Sequence, residues 1–239
     1  MALGGTAEHA TPSGFMRQVS LSSAAVFARH FTVYVTSRKP GLAPGCTMAD
    51  IASDFAKAIE EDLGGPVAFH GTSAGGAAGL QLAISHPHLV RRLVLAAAAC
   101  RLSPVGHQLL AEVARQVKAG YPRRASALMA TALAPRQLRY PAAMLASLVN
   151  PLAVDNPADM LITNAAVVAF DAEPQLHQVQ APTLVIGGST DPYYSQNLFQ
   201  RTAAGIPGGR AVIFPGKGHL YAAASKAAAN IALGFLLAE

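Results

Sequence analysis

A serine, an aspartate and a histidine stand at three positions of the chain where their side chains could act together on one substrate. Ser73 is the central residue of Gly71-Thr72-Ser73-Ala74-Gly75, a pattern typical of a sharp turn from a strand into a helix that exposes a serine hydroxyl. At such a helix N-terminus, the amide of Ala74 would point toward the charge that develops on an attacked carbonyl oxygen. The pattern therefore predicts nucleophilic attack on an acyl group, with Ala74 as one donor of the oxyanion hole.

A serine nucleophile needs a general base, and the base needs a carboxylate that holds its tautomer. Asp191 comes directly after the strand-like run 183–188, and His219 follows the strand-like run 210–214. Because the carboxyl ends of parallel strands meet at one edge of a sheet, these side chains should lie near Ser73. We therefore predict Ser73 as nucleophile, His219 as base and Asp191 as its orienting acid.

Each of the three residues also has an interpretation without chemistry. A Gly-x-Ser-x-Gly pattern arises by chance in chains rich in small residues. Asp191, which precedes Pro192, could be a turn residue, and His219 could cap the final helix. The joint placement of all three after predicted strands is what favours a shared catalytic role.

Strands and helices alternate along both ends of the chain. Strands are predicted at 31–37, 66–70 and 89–99, and the continuous apolar run 93–99 is typical of a parallel strand that is covered on both faces. Alternation of this kind favours an α/β fold with a mostly parallel sheet flanked by helices. Between 101 and 170 the pattern is helical and punctuated by prolines, which predicts a helical lid.

The elbow at Gly71 to Gly75 and the chain order Ser, Asp, His resemble the α/β-hydrolase fold family over nearly the whole chain. The resemblance implies a hydrolase core formed by 1–100 and 171–239, with 101–170 as a lid insertion. It also implies the roles of Ser73, Asp191 and His219 in a catalytic triad.

The same resemblance implies a second oxyanion amide from a glycine loop that follows an early central strand. Gly5 is the candidate, which leaves only Met1-Ala2-Leu3 for that strand and leaves the first edge strands of the family apparently missing. We expect Met1 to Leu3 to pair as a short strand. An exposed sheet edge could recruit a second copy of the chain, so a homodimer is a further possibility.

The function implied is that of a serine hydrolase (a carboxylesterase) that cleaves a small-molecule ester through an acyl-enzyme and needs no cofactor. A lactonase, a thioesterase, a perhydrolase or a carbon-carbon bond hydrolase of the same fold stays open. So does a non-hydrolytic ligand-binding member whose oxyanion hole is impaired. Fold alone does not choose among them.

Composition excludes several other classes. The chain has 239 residues, of which 51% are hydrophobic and two are cysteines, and this composition suits one globular domain and no disulfide framework. No apolar run is long enough to predict a membrane span, and the first ten residues lack the order of a signal peptide, so we expect a cytoplasmic protein. No two histidines have metal-ligand spacing on one element, so no metal is predicted.

The net charge of +5 raises the question of nucleic acid, but the basic residues are scattered and are not interleaved with aromatic residues. We predict no nucleic-acid partner. Nine lysines and arginines do fall between positions 91 and 139, against Glu112 alone. They are interpreted as a solvated helical face, with steering of an anionic substrate as the alternative.

Overall fold

Four parallel strands form the central sheet of the computed structural model, which describes residues 18, 21–22, 24–134, 136–149 and 157–238, without the side chain of Arg136. The strands are β1 (Val67–Thr72), β2 (Val90–Ala96), β3 (Thr183–Gly188) and β4 (Arg210–Phe214). They lie side by side in chain order, and each neighbouring pair is parallel. The prediction of a mostly parallel α/β sheet is confirmed.

Helices connect the strands and flank the sheet. They are α1 (Met48–Ala58), α2 (Ala74–Ser85), α3 (Pro104–Lys118), α4 (Pro122–Leu133), α5 (Arg139–Val149), α6 (Ala158–Ala169), α7 (Gln196–Gly205), α8 (His219–Ala224) and α9 (Lys226–Leu237). A π-helical turn, Ile59–Leu63, extends α1, and 3₁₀ turns occur at Pro87–Leu89, Arg136–Leu138 and Glu173–Gln178. None of the described helices is both long and apolar enough to cross a bilayer.

The strand β2 shows why a central parallel strand is apolar throughout. Leu93 and Leu95 belong to the hydrophobic core on one face of the sheet, and Val94 belongs to the core on the other face. All three side chains are fully buried. Alternate side chains of a strand point to opposite faces, so helices on both faces require an unbroken apolar run.

The segment 31–37 is not a strand, although its β-branched and aromatic residues predicted one. Residues 32–35 have no regular secondary structure, and Thr36 is a single β-bridge residue. Strand propensity is realised only where a neighbouring strand supplies hydrogen bonds. Here the described sheet ends at β1, and a cavity of about 510 Å³ lies between residues 31–36 and 65–70. Met1 to Leu3, expected to pair as a short strand, lies outside the described residues.

Four helices, α3 to α6, lie between β2 and β3 along the chain, and we call them the helical insertion. Arg101 and Asp171 form an antiparallel bridge where the insertion begins and ends. The amide of Ala172 donates to the carbonyl of Cys100 at 2.9 Å beside it. The division into a core of 1–100 and 171–239 and a lid of 101–170 stays a prediction.

A buried ion pair ties the last helix of the insertion, α6, to the segment that precedes α1. The Nη1 atom of Arg38 lies 3.1 Å from Oδ2 of Asp159, and the Arg38 side chain is 4% exposed. The same carboxylate accepts hydrogen bonds from the amides of Gly41 at 2.8 Å and Leu42 at 2.9 Å. Arg38 also donates from Nε to Oγ1 of Thr163 at 2.7 Å. One carboxylate therefore satisfies three donors from the opposite segment.

Replacing Asp159 with asparagine should lower the free energy of unfolding by about 3 kcal/mol, because it removes the charge that compensates a buried guanidinium. The matched control is Asp54→Asn, since Asp54 pairs with the neighbouring Lys39 in an exposed ion pair. That variant should unfold at the same urea concentration as the wild type. If the two variants unfold at the same urea concentration, the ion pair between Arg38 and Asp159 does not stabilise the fold as we expect.

His70 is the fourth residue of β1 and is buried. Its ring packs against Phe27 with a centroid separation of 5.4 Å. Burial disfavours the protonated ring and lowers the pKa of His70 to about 4. The folded protein therefore holds His70 neutral across a pH range in which the unfolded chain protonates it.

This difference should make the fold less stable in acid. As the pH falls from 6.5 toward 4, His70 binds a proton in the unfolded state but not in the folded state. The free energy of unfolding should therefore fall by about 3 kcal/mol. His70→Leu should reduce the difference in unfolding free energy between pH 7 and pH 4.5, measured in urea. The exposed His177, changed to leucine, is the control. An unchanged difference in the His70 variant would show that His70 is not the group responsible.

Candidate active site

The turn between β1 and α2 holds Ser73 in a backbone conformation that few residues adopt. Ser73 has φ 53° and ψ −120°, and its amide donates to the carbonyl of Ala96 on β2 at 3.0 Å. A Cβ atom on Gly71 would overlap the carbonyl oxygen of Gly75 and lie 2.6 Å from Cα of Gly76. The strand and the helix therefore meet so closely that only glycine fits at position 71, and the geometry is that of a nucleophile elbow.

The helix α2 begins directly after Ser73, whose carbonyl accepts the first hydrogen bonds of the helix. The amides of Gly76 and Ala77 donate to the carbonyl of Ser73 at 2.8 and 3.1 Å. Ala74 is the first residue of the helix, and the amide of a first helical residue has no acceptor within its own helix. An oxyanion beside Ser73 could accept a hydrogen bond from this amide, and the role of Ala74 in an oxyanion hole stays a prediction.

Asp191 and His219 are in direct contact. The Nδ1 atom of His219 lies 2.8 Å from Oδ2 of Asp191, and the two side chains are 8% and 0% exposed. The other carboxylate oxygen, Oδ1, accepts the amides of Tyr193 at 2.8 Å and Tyr194 at 3.2 Å. Because Nδ1 of His219 faces a carboxylate oxygen, which can only accept a hydrogen bond, the proton of the neutral imidazole belongs on Nδ1. The other ring nitrogen, Nε2, is then the atom that can accept a proton.

The two loops that carry this pair are bound to each other. The amide of Thr190 donates to the carbonyl of Lys217 at 3.0 Å, and the amide of Gly216 donates to Oγ of Ser189 at 2.8 Å. A Cβ atom on Gly188 would overlap the carbonyl oxygen of Lys217. The distance between Asp191 and His219 is thus set by the backbone of both loops.

Two tyrosines that the sequence analysis did not single out enclose the His219 ring. Tyr193 meets it edge to face at 4.9 Å between ring centroids, and Tyr194 lies parallel to it at 6.2 Å. Both tyrosines are buried, and burial raises the pKa of Tyr193 to about 12 and also raises that of Tyr194. They position the imidazole as neutral groups. Both tyrosines follow Asp191 by two or three residues in the same loop, and this position could have indicated a contact with His219.

Tyr193 also joins the site to the helical insertion. Its carbonyl accepts the amide of Ser103 at 2.9 Å, one residue before α3 begins. A Cβ atom on Gly106, in the first turn of α3, would overlap the same carbonyl oxygen. The insertion therefore starts in contact with the loop that holds Asp191.

The residues predicted to act together follow β1, β3 and β4 at one edge of the sheet. The structure gives Asp191 and His219 a direct hydrogen bond, and it places Ser73 at the same edge through its bond to β2. Gly5, the predicted second oxyanion donor, lies outside the described residues. In the part of the chain that the structure describes, no three histidine, cysteine or acidic side chains form a group able to hold a metal ion.

A family model described as "Alpha/beta hydrolase family" matches residues 4–231 of the chain. Among solved structures, an enol-lactonase from Burkholderia xenovorans is similar with a TM-score of 0.81 and 18% identity, over 99% of this chain and 90% of that one. A hydrolase from Pseudomonas aeruginosa has a TM-score of 0.78 and 24% identity, over 99% and 89%. A thermophilic esterase from Thermogutta terrifontis has a TM-score of 0.76 and 20% identity, over 98% and 87%. At these identities the likeness concerns the fold.

A curated relative matches over a shorter stretch. It is a protein of Yersinia enterocolitica that carries the name of a carbamate hydrolase, RutD, and it is 40% identical over 88 residues. The matched stretch covers 34% of this chain and 31% of the relative. The similarity therefore extends over about a third of either protein.

The close approach at Gly71 can be tested by adding one methyl group. Gly71→Ala should lower the free energy of unfolding by about 2 kcal/mol or more, because the new Cβ atom would overlap backbone that cannot move aside. Gly234→Ala is the matched control, since a Cβ atom in that turn of α9 would meet nothing within 4 Å. This variant should be as stable as the wild type or up to roughly 1 kcal/mol more stable. Similar urea midpoints for the two variants would contradict the geometry of the elbow.

Proposed function

Since the chain belongs to the α/β-hydrolase family, we propose that it is a serine hydrolase that cleaves a carboxylic ester through an acyl-enzyme. The observation that carries the proposal is the buried pair of Asp191 and His219, with 2.8 Å between Oδ2 and Nδ1. It lies at the sheet edge where the turn after β1 holds Ser73 at a positive φ. A base held by a carboxylate near a strained serine is the arrangement that activates an alcohol for attack.

In the first half of the reaction, Oγ of Ser73 attacks the ester carbonyl carbon, and Nε2 of His219 takes the hydroxyl proton. Asp191 stabilises the imidazolium that forms and keeps Nδ1 protonated. The amide of Ala74 donates to the developing oxyanion, and we assign the second donor to Gly5. The tetrahedral intermediate then collapses, the ester C–O bond breaks, and His219 returns its proton to the departing alcohol.

In the second half, water replaces the alcohol. His219 removes a proton from the water as its oxygen attacks the acyl carbon, and a second tetrahedral oxyanion forms in the same place. Its collapse releases the carboxylic acid, and Ser73 recovers its proton from His219. Atoms balance as ester plus water to acid plus alcohol, and no group outside the chain takes part.

The segment 101–170 is proposed to be the lid over this site. Its first helix starts against the carbonyl of Tyr193, and its last helix, α6, is tied through Asp159 to Arg38 in the segment before α1. Leu109, Leu110 and Leu133 of the insertion pack against the main core and supply apolar surface near the sheet. An ester with an apolar acyl or alcohol group fits such surroundings.

The names of similar proteins leave the bond to be cleaved open. They include esterases, an enol-lactonase and the carbamate hydrolase that matches in part. The proposed residues would serve any of these acyl bonds, and we place a carboxylic ester first because esterases are among the similar proteins. A panel of short and long acyl esters, thioesters, lactones and carbamates would rank these classes by kcat/KM.

Labelling with a fluorophosphonate tests whether Ser73 is activated. The wild type should form a covalent adduct at Ser73, and Ser73→Ala should form none, because the probe reacts only with an activated serine hydroxyl. Mass spectrometry of the adduct gives the site. If the folded wild type does not react, the hydrolase mechanism is wrong, and the fold serves ligand binding without hydrolysis.

Replacing Asp191 with asparagine tests the role of the carboxylate. We expect kcat to fall by about 10³- to 10⁴-fold with p-nitrophenyl esters, because asparagine favours the wrong tautomer of His219. The control is Asp171→Asn, an acid with a 52% exposed side chain that does not contact His219. An activity loss of less than about tenfold in a folded Asp191→Asn variant would contradict the role of Asp191.

A further inference from the structure

Helix α5 carries its large apolar side chains on the solvent side. Ala142, Ala143, Ala146 and Ser147 are half-buried, whereas five large apolar residues are between 62% and 91% exposed. We call these five the apolar face of α5: Tyr140, Met144, Leu145, Leu148 and Val149. With 3.6 residues per turn, the small residues occupy one side of the helix and the large apolar residues the other.

This arrangement reverses the usual amphipathic pattern. The helix has no buried residue over its 11 positions, and it packs on α4 through its small side chains. A helix that covered the core would turn its leucines and its methionine inward, since burying them is what stabilises the fold. An exposed patch of this kind marks an interaction surface.

The part of the chain around α5 is basic. Between positions 113 and 154 the sequence contains six lysines and arginines and neither aspartate nor glutamate. Arg139 begins α5, and Arg123 and Arg124 lie in the first turn of α4; all three are exposed. Packed helices joined by a short connection run antiparallel, so Arg123 and Arg124 lie toward the end of α5. Cationic side chains therefore lie near both ends of α5.

The charge distribution decides between two kinds of occupant. A second copy placed face to face through a two-fold axis would bring the same cationic ends near each other with no acid from this region to pair them. An anionic lipid surface satisfies both features, because its acyl region accepts apolar side chains and its headgroup phosphates accept arginine.

We propose that the apolar face of α5 docks on membrane surfaces that contain anionic lipids. The helix lies parallel to the surface with Tyr140, Met144 and Leu148 below the headgroups. Arg123 and Arg124 contact phosphates. The inference does not depend on the proposed ester hydrolysis, since none of these residues belongs to the triad.

Vesicle flotation with the full chain tests the proposal. The wild type should float with vesicles of 70% phosphatidylcholine and 30% phosphatidylglycerol at least about tenfold more than with pure phosphatidylcholine, and salt should reduce this binding. Leu148→Gln should lower the partition coefficient about tenfold, because the loss of apolar contact is not replaced. The matched control is Leu237→Gln, an exposed leucine at the end of α9, which should bind as the wild type does.

The charged part of the surface has its own variant. Arg123→Gln together with Arg124→Gln should reduce binding to anionic vesicles by about fivefold for each charge and should flatten the dependence on salt. All the substituted side chains are exposed, so circular dichroism and urea midpoints should match the wild type.

Three results would overturn the proposal. The first is equal binding, or none, to the two vesicle types, and the second is unchanged binding by Leu148→Gln. The third is a dimer in sedimentation velocity that Leu148→Gln dissociates, because it would show that a second copy covers the face.

Discussion

The close contact between the end of β1 and the start of α2 constrains the rest of the site. Backbone atoms of Gly75 and Gly76 occupy the space that a side chain at position 71 would need. The chain can turn there only if Ser73 accepts a positive φ. On its other side the helix is fixed as well, because a Cβ atom on Gly76 would overlap the Cβ atom of Ala98, just beyond β2. The position of Ser73 is therefore fixed by close packing around the two glycines, Gly71 and Gly76.

Asp191 and His219, the proposed acid and base, are positioned in a different way, by a set of hydrogen bonds between two loops. Ser189, Thr190 and Gly188 of one loop contact Gly216 and Lys217 of the other. Tyr193 and Tyr194 then close around the His219 ring from the acid's side. Each loop follows its own strand, so the pairing of β3 with β4 brings them together before any side chain is considered. The site is preorganised by sheet register.

The sequence predicted those features in which the type of a residue is explained by its own turn or strand. The elbow glycines follow from a tight turn, and the polar residues after β3 and β4 follow from strand ends. The buried run of β2 follows from helices on both faces of the sheet. Sequence reasoning failed at 31–37, where strand propensity was present but a described neighbouring strand was not. It also missed Tyr193 and the exposed face of α5. Which side of a helix faces its neighbour depends on tertiary packing, so the apolar content of α5 alone does not show which of its residues are exposed.

The bridge between Arg101 and Asp171 brings the two ends of the helical insertion together. Two paired residues of antiparallel chains lie about 5 Å apart at their Cα atoms, so the insertion leaves the fold and re-enters it at almost one point. A change in the length of its helices therefore need not separate the ends of β2 and β3. In evolutionary terms the sheet can keep the proposed catalytic residues while the insertion diverges, and a new preference for substrates or surfaces could then arise by exchange of the segment between these two residues.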